Sequence, residues 1–182
     1  MESSSILATI ADPFAYILIP IVGFHAWQLA AAAVTGFIAK ENVVGTLAVC
    51  YGISNLIDTD ALEMAEGAGA EVAAVFGITK AAALAYLMFN LFTPPCFAAL
   101  GAMNAEIRDR EWFWGGIALQ LATGYSAGFL VYQIGTLATT GALGAGFVGG
   151  LCFVLAFAAV LTWLCVRADR KVKAEYALSG KK

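Results

Sequence analysis

The segment "FNLFTPPCFAALGAMNAEIRDREWFW", Phe89–Trp114, interrupts an apolar run with two adjacent prolines and a cysteine, and then ends in closely spaced charges. Proline lacks a backbone donor and clashes with the preceding helical turn, so a helix must break or kink at Pro94 and Pro95. The apolar stretch that contains the break, Val72–Glu106, is 35 residues long. About 20 helical residues cross a bilayer core, so this stretch is too long for one simple span. The segment therefore predicts a broken membrane helix.

The composition of the whole chain indicates an integral membrane protein. Of its 182 residues, 61% are hydrophobic and 13% are charged, and the mean hydropathy is +0.81. A soluble domain of this length would not carry so much apolar surface, because its outside must face water. We predict an all-α, polytopic membrane helical bundle of about four spans: Ala26–Tyr51, Val72–Glu106, Trp112–Leu137 and Leu143–Val166.

A shorter apolar run, Pro13–Phe24, precedes the first span and is punctuated by Pro13 and Pro20. We expect this run to be a short re-entrant or interfacial piece, because prolines interrupt helices. The predicted organisation is an N-terminal segment, a transmembrane domain and a basic cytoplasmic tail, over residues 1–25, 26–166 and 167–182 respectively.

The basic residues orient the chain in the membrane. The tail holds six of the ten lysines and arginines, and Arg108 and Arg110 lie in the connection before the third span. The connection 52–71 carries five acidic residues and no basic one. By the positive-inside rule, the tail and the 107–111 turn are cytoplasmic and 52–71 is outside. Both termini are then expected in the cytoplasm.

Lys40, Glu41 and Asn42 lie well inside the first predicted span. Charged side chains at this depth cost at least about 2.5–3.5 kcal/mol each, so they usually face a cavity and have a partner. Lys40 and Glu41 point about 100° apart on an intact helix and pair poorly with each other. A local unwinding, or partners on another span, would resolve this. Two interpretations stay open: a structural ion pair, such as Glu41 with Lys80, and a cation or proton site.

Cys96 is the cysteine with the strongest case for a ligand role. At the Pro-Pro break, backbone carbonyls lose their helical partners, and irregular backbone at membrane depth is tolerated only where it is buried or lines a wet cavity. A thiolate beside freed carbonyls suits a transition-metal cation, and simple packing is the other interpretation. Cys50, Cys152 and Cys165 are interpreted as packing residues, and without a C-x-x-C pair no disulfide framework is expected.

The sequence contains neither G-x-x-x-x-G-K-[ST] nor H-E-x-x-H. The single histidine, His25, stands beside Trp27 and is expected at the membrane interface, as are Trp112 and Trp114. We predict that the chain is not an enzyme and holds no tightly bound cofactor. Its expected partners include membrane lipid and exclude nucleic acid.

Three motifs in this order resemble the FeoB family of ferrous-iron transporters. They are "GFIAKENVVGTLAVCYG", "FNLFTPPCFAALGAMNAE" and "WFWGGIALQLATGYSAGFLVYQIG". They are similar to that family's A-K-E-N-V-V-G-T segment, its F-N-L-x-x-x-P-C-F-A-A segment and its span ending in Y-Q-I-G. The resemblance runs from about Ile6 to the last span and concerns the family's C-terminal permease part, a gate-type domain.

The resemblance implies transport of Fe²⁺, as substrate, across the cytoplasmic membrane of a prokaryote. Cys96 matches the cysteine of the family's second gate unit, and Glu41 matches the acidic residue of its K-E motif, so both are expected as metal ligands. Where the most similar branch reads C-x-P-C, this chain has Thr93 in place of the first thiol, and a two-thiolate site is not expected. Weaker candidates for the ion path are Asn42, Asn90, Thr93 and Glu106.

The family's GTP-binding domain and the first half of its permease have no counterpart in this sequence. The resemblance therefore implies that GTP acts only through a missing or partner domain. The expected protein partner is a GTPase-bearing or first-gate chain, or another copy of this one. The alternatives are a non-transporting remnant or assembly subunit of a split transporter, and a gate-fold permease for another solute.

Overall fold

The computed structural model describes residues 6–51, 57–58, 63–64 and 76–179, so most of the acidic connection and residues 72–75 of the second predicted span lie outside it. Within these residues one pair of short strands is present, β1 (Ile57–Asp58) antiparallel to β2 (Glu63–Met64). The remaining elements are helices, which confirms the predicted all-α membrane bundle. They are α1 (Ile6–Val22), α2 (Trp27–Ile38), α3 (Asn42–Tyr51), α4 (Lys80–Phe92), α5 (Phe97–Glu106), α6 (Arg110–Thr140) and α7 (Phe147–Ser179).

The chain divides into two compact units, Met1–Phe147 and Val148–Lys182. The second unit is built on α7, which continues without interruption from the last predicted span into the predicted basic tail. Within it, the Arg167 guanidinium lies 5.0 Å from the centre of the Trp163 ring, a cation–π distance.

The core of the first unit is built around one face of α1. Ala11, Ala15, Leu18 and Val22 are buried at the three- and four-residue spacing of a helix face, and they pack in a cluster with residues of α2, α4 and α6. Pro13 and Pro20 both lie inside α1, so the expectation that they interrupt this run is wrong. Neighbouring helices in a membrane bundle compensate for the lost backbone bonds, which lets the helix continue through a proline.

A sharp elbow of 104° joins α1 to α2. Gly23 lies at the elbow with φ +89°, a left-handed conformation that favours glycine. A Cβ at this position would also collide with the Tyr132 hydroxyl. The bent pair is either one broken span or a re-entrant loop, so the placement of the N-terminal piece stays a prediction.

Two helical stretches in the described residues are long and apolar enough to cross a membrane, Lys80–Glu106 and Phe147–Arg170, and α1 with α2 adds a third if the bent pair is one span. The third predicted span coincides with α6, which has the length at 31 residues but carries many Gly, Thr, Ser and Gln residues. The predicted count of four spans therefore stays a prediction.

The first predicted span, Ala26–Tyr51, is not one continuous helix. α2 ends at Ile38 and α3 begins at Asn42, with Lys40 and Glu41 in the turn between them. Both resolutions that the sequence suggested are observed for Lys40: the helix unwinds locally at this turn, and the Lys40 side chain reaches partners on another helix.

Candidate functional site

Two backbone carbonyls near the end of α4 lack helical donors. In a continuous helix, the N–H groups of positions 94 and 95 would bond to the carbonyls of Asn90 and Leu91, but both positions are proline. Thr93 ends the helix in an extended conformation, and its hydroxyl donates to the Asn90 carbonyl at 3.1 Å. Apart from this one bond, the carbonyls of Asn90 and Leu91 remain able to accept hydrogen bonds from other groups.

Hydrogen bonds define the conformation of the turn between α2 and α3. Ala39 is extended, and the N–H of Asn42 donates to its carbonyl at 2.9 Å. The Thr35 and Thr46 hydroxyl oxygens lie 2.8 Å apart, so one hydroxyl donates to the other and links the end of α2 to α3. The turn is therefore a defined structure from which a side chain can project.

Lys40 projects from this turn to the break at the end of α4. Its Nζ donates to the Asn90 carbonyl at 2.6 Å and to the Thr93 carbonyl at 3.0 Å, with a longer contact of 3.5 Å to the Leu91 carbonyl. An ammonium has three donors, and bonds from a charged donor are stronger than neutral ones. We call the carbonyl oxygens of Asn90, Leu91 and Thr93 the carbonyl cradle. The Lys40 ammonium thus lies on the freed carbonyls that the sequence suggested, together with Cys96, as surroundings for a transition-metal cation.

Lys40 therefore has backbone partners rather than a carboxylate. Among the described residues, Lys173 pairs with Asp169 at 2.6 Å, and His25 Nε2 lies 3.3 Å from Asp12 Oδ1, which is an ion pair only when the imidazole is protonated. The pair of Glu41 with Lys80 that the sequence suggested is not formed. Lys80 is exposed at the first position of α4.

Cys96 lies at the N-terminal boundary of α5, directly after the two prolines. Its side chain makes no capping hydrogen bond, is half-buried and is a free thiol. It follows Thr93, whose carbonyl accepts from the Lys40 ammonium, by three residues. The break thus brings together a thiol, a hydroxyl, three carbonyls and an ammonium.

The other candidates lie in different surroundings. Glu41 and Asn42 are exposed in and beside the turn, and the Asn90 amide donates to the Tyr86 carbonyl of its own helix at 2.9 Å. Glu106 is exposed at the far end of α5, roughly 15 Å along the helix from the break. No group of three or more His, Cys, Asp or Glu side chains in the described part of the chain is placed to hold a metal ion.

A cavity of about 300 Å³ lies against the carbonyl cradle, between α1, α2, α4 and α6. Its polar lining consists of Lys40, Asn90 and Thr93. The cavity therefore joins an apolar interior to the polar groups of the break. The other lining residues are Phe14, Ile17, Leu18, Ala30, Ala33, Val34, Gly36, Phe37, Phe89, Pro94 and Leu121.

Two glycines of α6 that the sequence argument did not single out let this helix approach α4 closely. A Cβ at Gly124 would lie 3.0 Å from the Thr93 backbone nitrogen, and one at Gly128 would lie 3.1 Å from the Ala85 carbonyl oxygen. The spacing G-x-x-x-G in "GYSAG" is typical of membrane helices that pack closely, and it would have predicted this contact.

Residues 1–110 match the family described as Gate: Nucleoside recognition. A protein named Fe(2+) transporter FeoB from Staphylococcus aureus (strain COL) is 29% identical over 140 residues, which cover 74% of this chain and 18% of the relative. The relative of the same name from Methanocaldococcus jannaschii is 30% identical over 113 residues, covering 61% of this chain and 15% of the relative. The chain thus spans less than a fifth of the length of these relatives. No solved structure matches. These matches confirm the resemblance that the three motifs indicated.

Proposed function

We propose that this chain, which belongs to the Gate (nucleoside recognition) family, forms the C-terminal membrane part of a ferrous-iron transporter. In this proposal Fe²⁺ is the transported substrate, and the chain contributes a cation path across the cytoplasmic membrane of a prokaryote. The relatives named Fe(2+) transporter are more than five times longer than the matched segment. We place energy coupling on a GTPase-bearing domain outside the matched segment, and a first-gate chain or a second copy of this one would complete the ion path.

The observation that carries the proposal is the meeting of two helix breaks. The Lys40 turn between α2 and α3 contacts the carbonyl cradle at the end of α4. Irregular backbone at membrane depth occurs where it lines a cavity, and interrupted helices form the ion and substrate sites of many transporters. The cavity of about 300 Å³ beside the same atoms supports a passage at this place.

Each candidate residue has a distinct role in this proposal. Cys96 offers a soft thiolate ligand that suits a transition-metal ion such as Fe²⁺, and the Thr93 hydroxyl offers an oxygen ligand, with the Asn90 carbonyl as a further one when the Lys40 ammonium is displaced from it. Glu41, exposed beside the turn, attracts the cation with its carboxylate. Glu106 receives the ion at the other end of α5. Asn42 adds an amide oxygen beside Glu41.

Two alternatives remain as outcomes of the experiments. A non-transporting remnant or assembly subunit would keep the helical bundle without using the thiol. A permease for a nucleoside, the solute in the family's description, needs many polar partners, because buried donors and acceptors must be paired. The polar groups that line the cavity are already bonded, Lys40 and Thr93 to carbonyls of α4 and the Asn90 amide to Tyr86, which leaves few partners for a nucleoside.

Replacing the thiol tests the cation path. Cys96→Ser is expected to lower Fe²⁺ uptake by the assembled transporter by at least about tenfold, because a hydroxyl is a much poorer ligand for a transition metal than a thiolate. Glu41→Gln is expected to lower uptake by a smaller factor, since it removes charge but keeps shape. The measurement is uptake of radioactive iron by cells whose own ferrous-iron transport is deleted, with the amount of inserted protein determined in parallel.

The matched control is Cys152→Ser, which changes an exposed thiol on α7. It should leave uptake within about twofold of the unaltered chain, because exposed substitutions disturb packing little. An equal loss of uptake in all three variants would indicate packing damage and contradict the cation path.

The topology is a separate prediction. Both termini should be cytoplasmic and the acidic connection 52–71 should lie outside, because the basic residues cluster in the tail and the 107–111 turn. A cysteine introduced at Gly67, which lies outside the described residues, should react with an impermeant thiol reagent added to intact cells. Labelling only after the cytoplasmic side is opened would refute the assignment.

A further inference from the structure

We propose that the carbonyl cradle is a binding site for a monovalent cation, and that the Lys40 ammonium is its resident cation, tethered by the chain itself. Without this ammonium, the cradle should bind K⁺ or Na⁺. The proposal stands on the contacts of Lys40 Nζ with the carbonyls of Asn90 at 2.6 Å, Thr93 at 3.0 Å and Leu91 at 3.5 Å. It does not require that Fe²⁺ is the transported ion.

The ligands of the cradle define the class of ion. All of them are neutral oxygen atoms, namely three backbone carbonyls and, adjoining them, the Thr93 hydroxyl, which already donates to one of these carbonyls. Oxygen ligands suit hard cations, and rings of carbonyls bind alkali-metal ions in membrane proteins. Divalent ions are normally held by carboxylates as well, and the cradle contains none. A single positive charge is therefore the best match, and an ammonium and an alkali-metal ion both provide it.

The cradle exists because of its local sequence, independently of Lys40. Pro94 and Pro95 remove the two N–H groups that would otherwise bond to the carbonyls of Asn90 and Leu91. Acceptors that are partly withdrawn from water and lack partners are costly, and the Asn90 carbonyl is partly buried, so a bonded donor or cation at this place is favoured. The donor that is present is the ammonium of Lys40, which lies in a turn fifty residues before Asn90 in the sequence.

Truncation of Lys40 would leave room for an ion beside the cradle. The cavity of about 300 Å³ is lined by Lys40, Asn90 and Thr93, so a shorter side chain at position 40 would enlarge this space next to the Asn90 and Thr93 residues. On the proposed transport function, the ammonium in the cradle is the positive charge that an entering cation must displace to reach the same carbonyls.

The test is the dependence of thermal stability on the cation, measured with the purified full chain in detergent and without iron. Lys40→Ala should have a lower Tm than the unaltered chain in N-methyl-D-glucamine chloride. Replacing that salt with KCl or NaCl at equal ionic strength should raise the Tm of the variant by at least about 3 °C, saturably, because only the folded state binds the ion. The unaltered chain should shift by less than about 1 °C, since its cradle is occupied. Lys80→Ala, which removes an exposed lysine at the start of α4, is the matched control and should also show no cation-specific shift.

Equal destabilisation of Lys40→Ala in all three salts would show that Lys40 is only a structural clamp, and it would overturn the proposal. Lys40→Met, prepared in KCl and in NaCl, provides a second variant that keeps the aliphatic chain without the charge. If neither variant is recovered folded in either alkali salt, the proposal is also overturned, because it requires the ion to replace the ammonium. Since no iron is present, each of these results leaves the proposed transport of Fe²⁺ untouched.

Discussion

Replacing Gly128 with leucine is expected to destabilise the first unit by about 3 kcal/mol, at the upper end of what overpacking usually costs. A Cβ at this position would lie 3.1 Å from the Ala85 carbonyl oxygen, 3.1 Å from Ile21 Cγ2 and 3.2 Å from Phe89 Cβ. One of these atoms belongs to the backbone of α4 and cannot move by a change of rotamer. The larger side chain must therefore push α6 away from both α1 and α4.

The measurement is reversible unfolding of the purified chain by SDS in mixed micelles, followed by circular dichroism. Gly115→Leu is the matched control, since it places the same side chain on the same helix where a Cβ would meet no atom within 4 Å. Its effect should stay within about 0.5 kcal/mol. Similar free energies of unfolding for the two variants would show that α6 does not depend on close contact at Gly128.

The purified 182-residue chain is expected to transport no Fe²⁺ by itself. Its polar turn exposes Glu41 and Asn42 in the isolated chain. Placing a charged group in lipid costs at least about 2.5–3.5 kcal/mol, so these side chains need helices from a partner. Transporter ion paths commonly lie between two related repeats, and the chain matches less than a fifth of its named relatives. The expected result is therefore complete absence of uptake rather than slow uptake.

Reconstitution in liposomes that contain an Fe²⁺-sensitive chelating dye tests this expectation. Co-reconstitution with a chain that carries the GTPase domain and the first gate unit should restore uptake, and Cys96→Ser in this complex serves as the control for a specific path. Robust uptake by the chain alone that Cys96→Ser abolishes would contradict the prediction, because a single gate unit would then suffice.

The sequence by itself determined the membrane class and the position of the main break. Composition decides between water and lipid as the surroundings, since apolar surface on this scale cannot face water. The interruption at Pro94 and Pro95 was predictable because the missing N–H group and the ring clash of proline act within one helical turn. The three motifs identified the resemblance because they are local patterns, and the family match agrees with them.

Only the tertiary structure decided what the break holds. The sequence placed freed carbonyls beside Cys96 and a lysine in another span, but it contained no signal that Lys40 Nζ would donate to the Asn90 and Thr93 carbonyls. Nor did it show that α1 would continue through Pro13, because that depends on the packing of Ala11 and Ala15 against other helices. Proline chemistry acts on neighbouring residues and can be read from the chain. A lysine side chain is long and flexible, so its ammonium bonds to whichever acceptor the packed helices bring within reach. The identity of that acceptor is decided only when α2, α4 and α6 pack together.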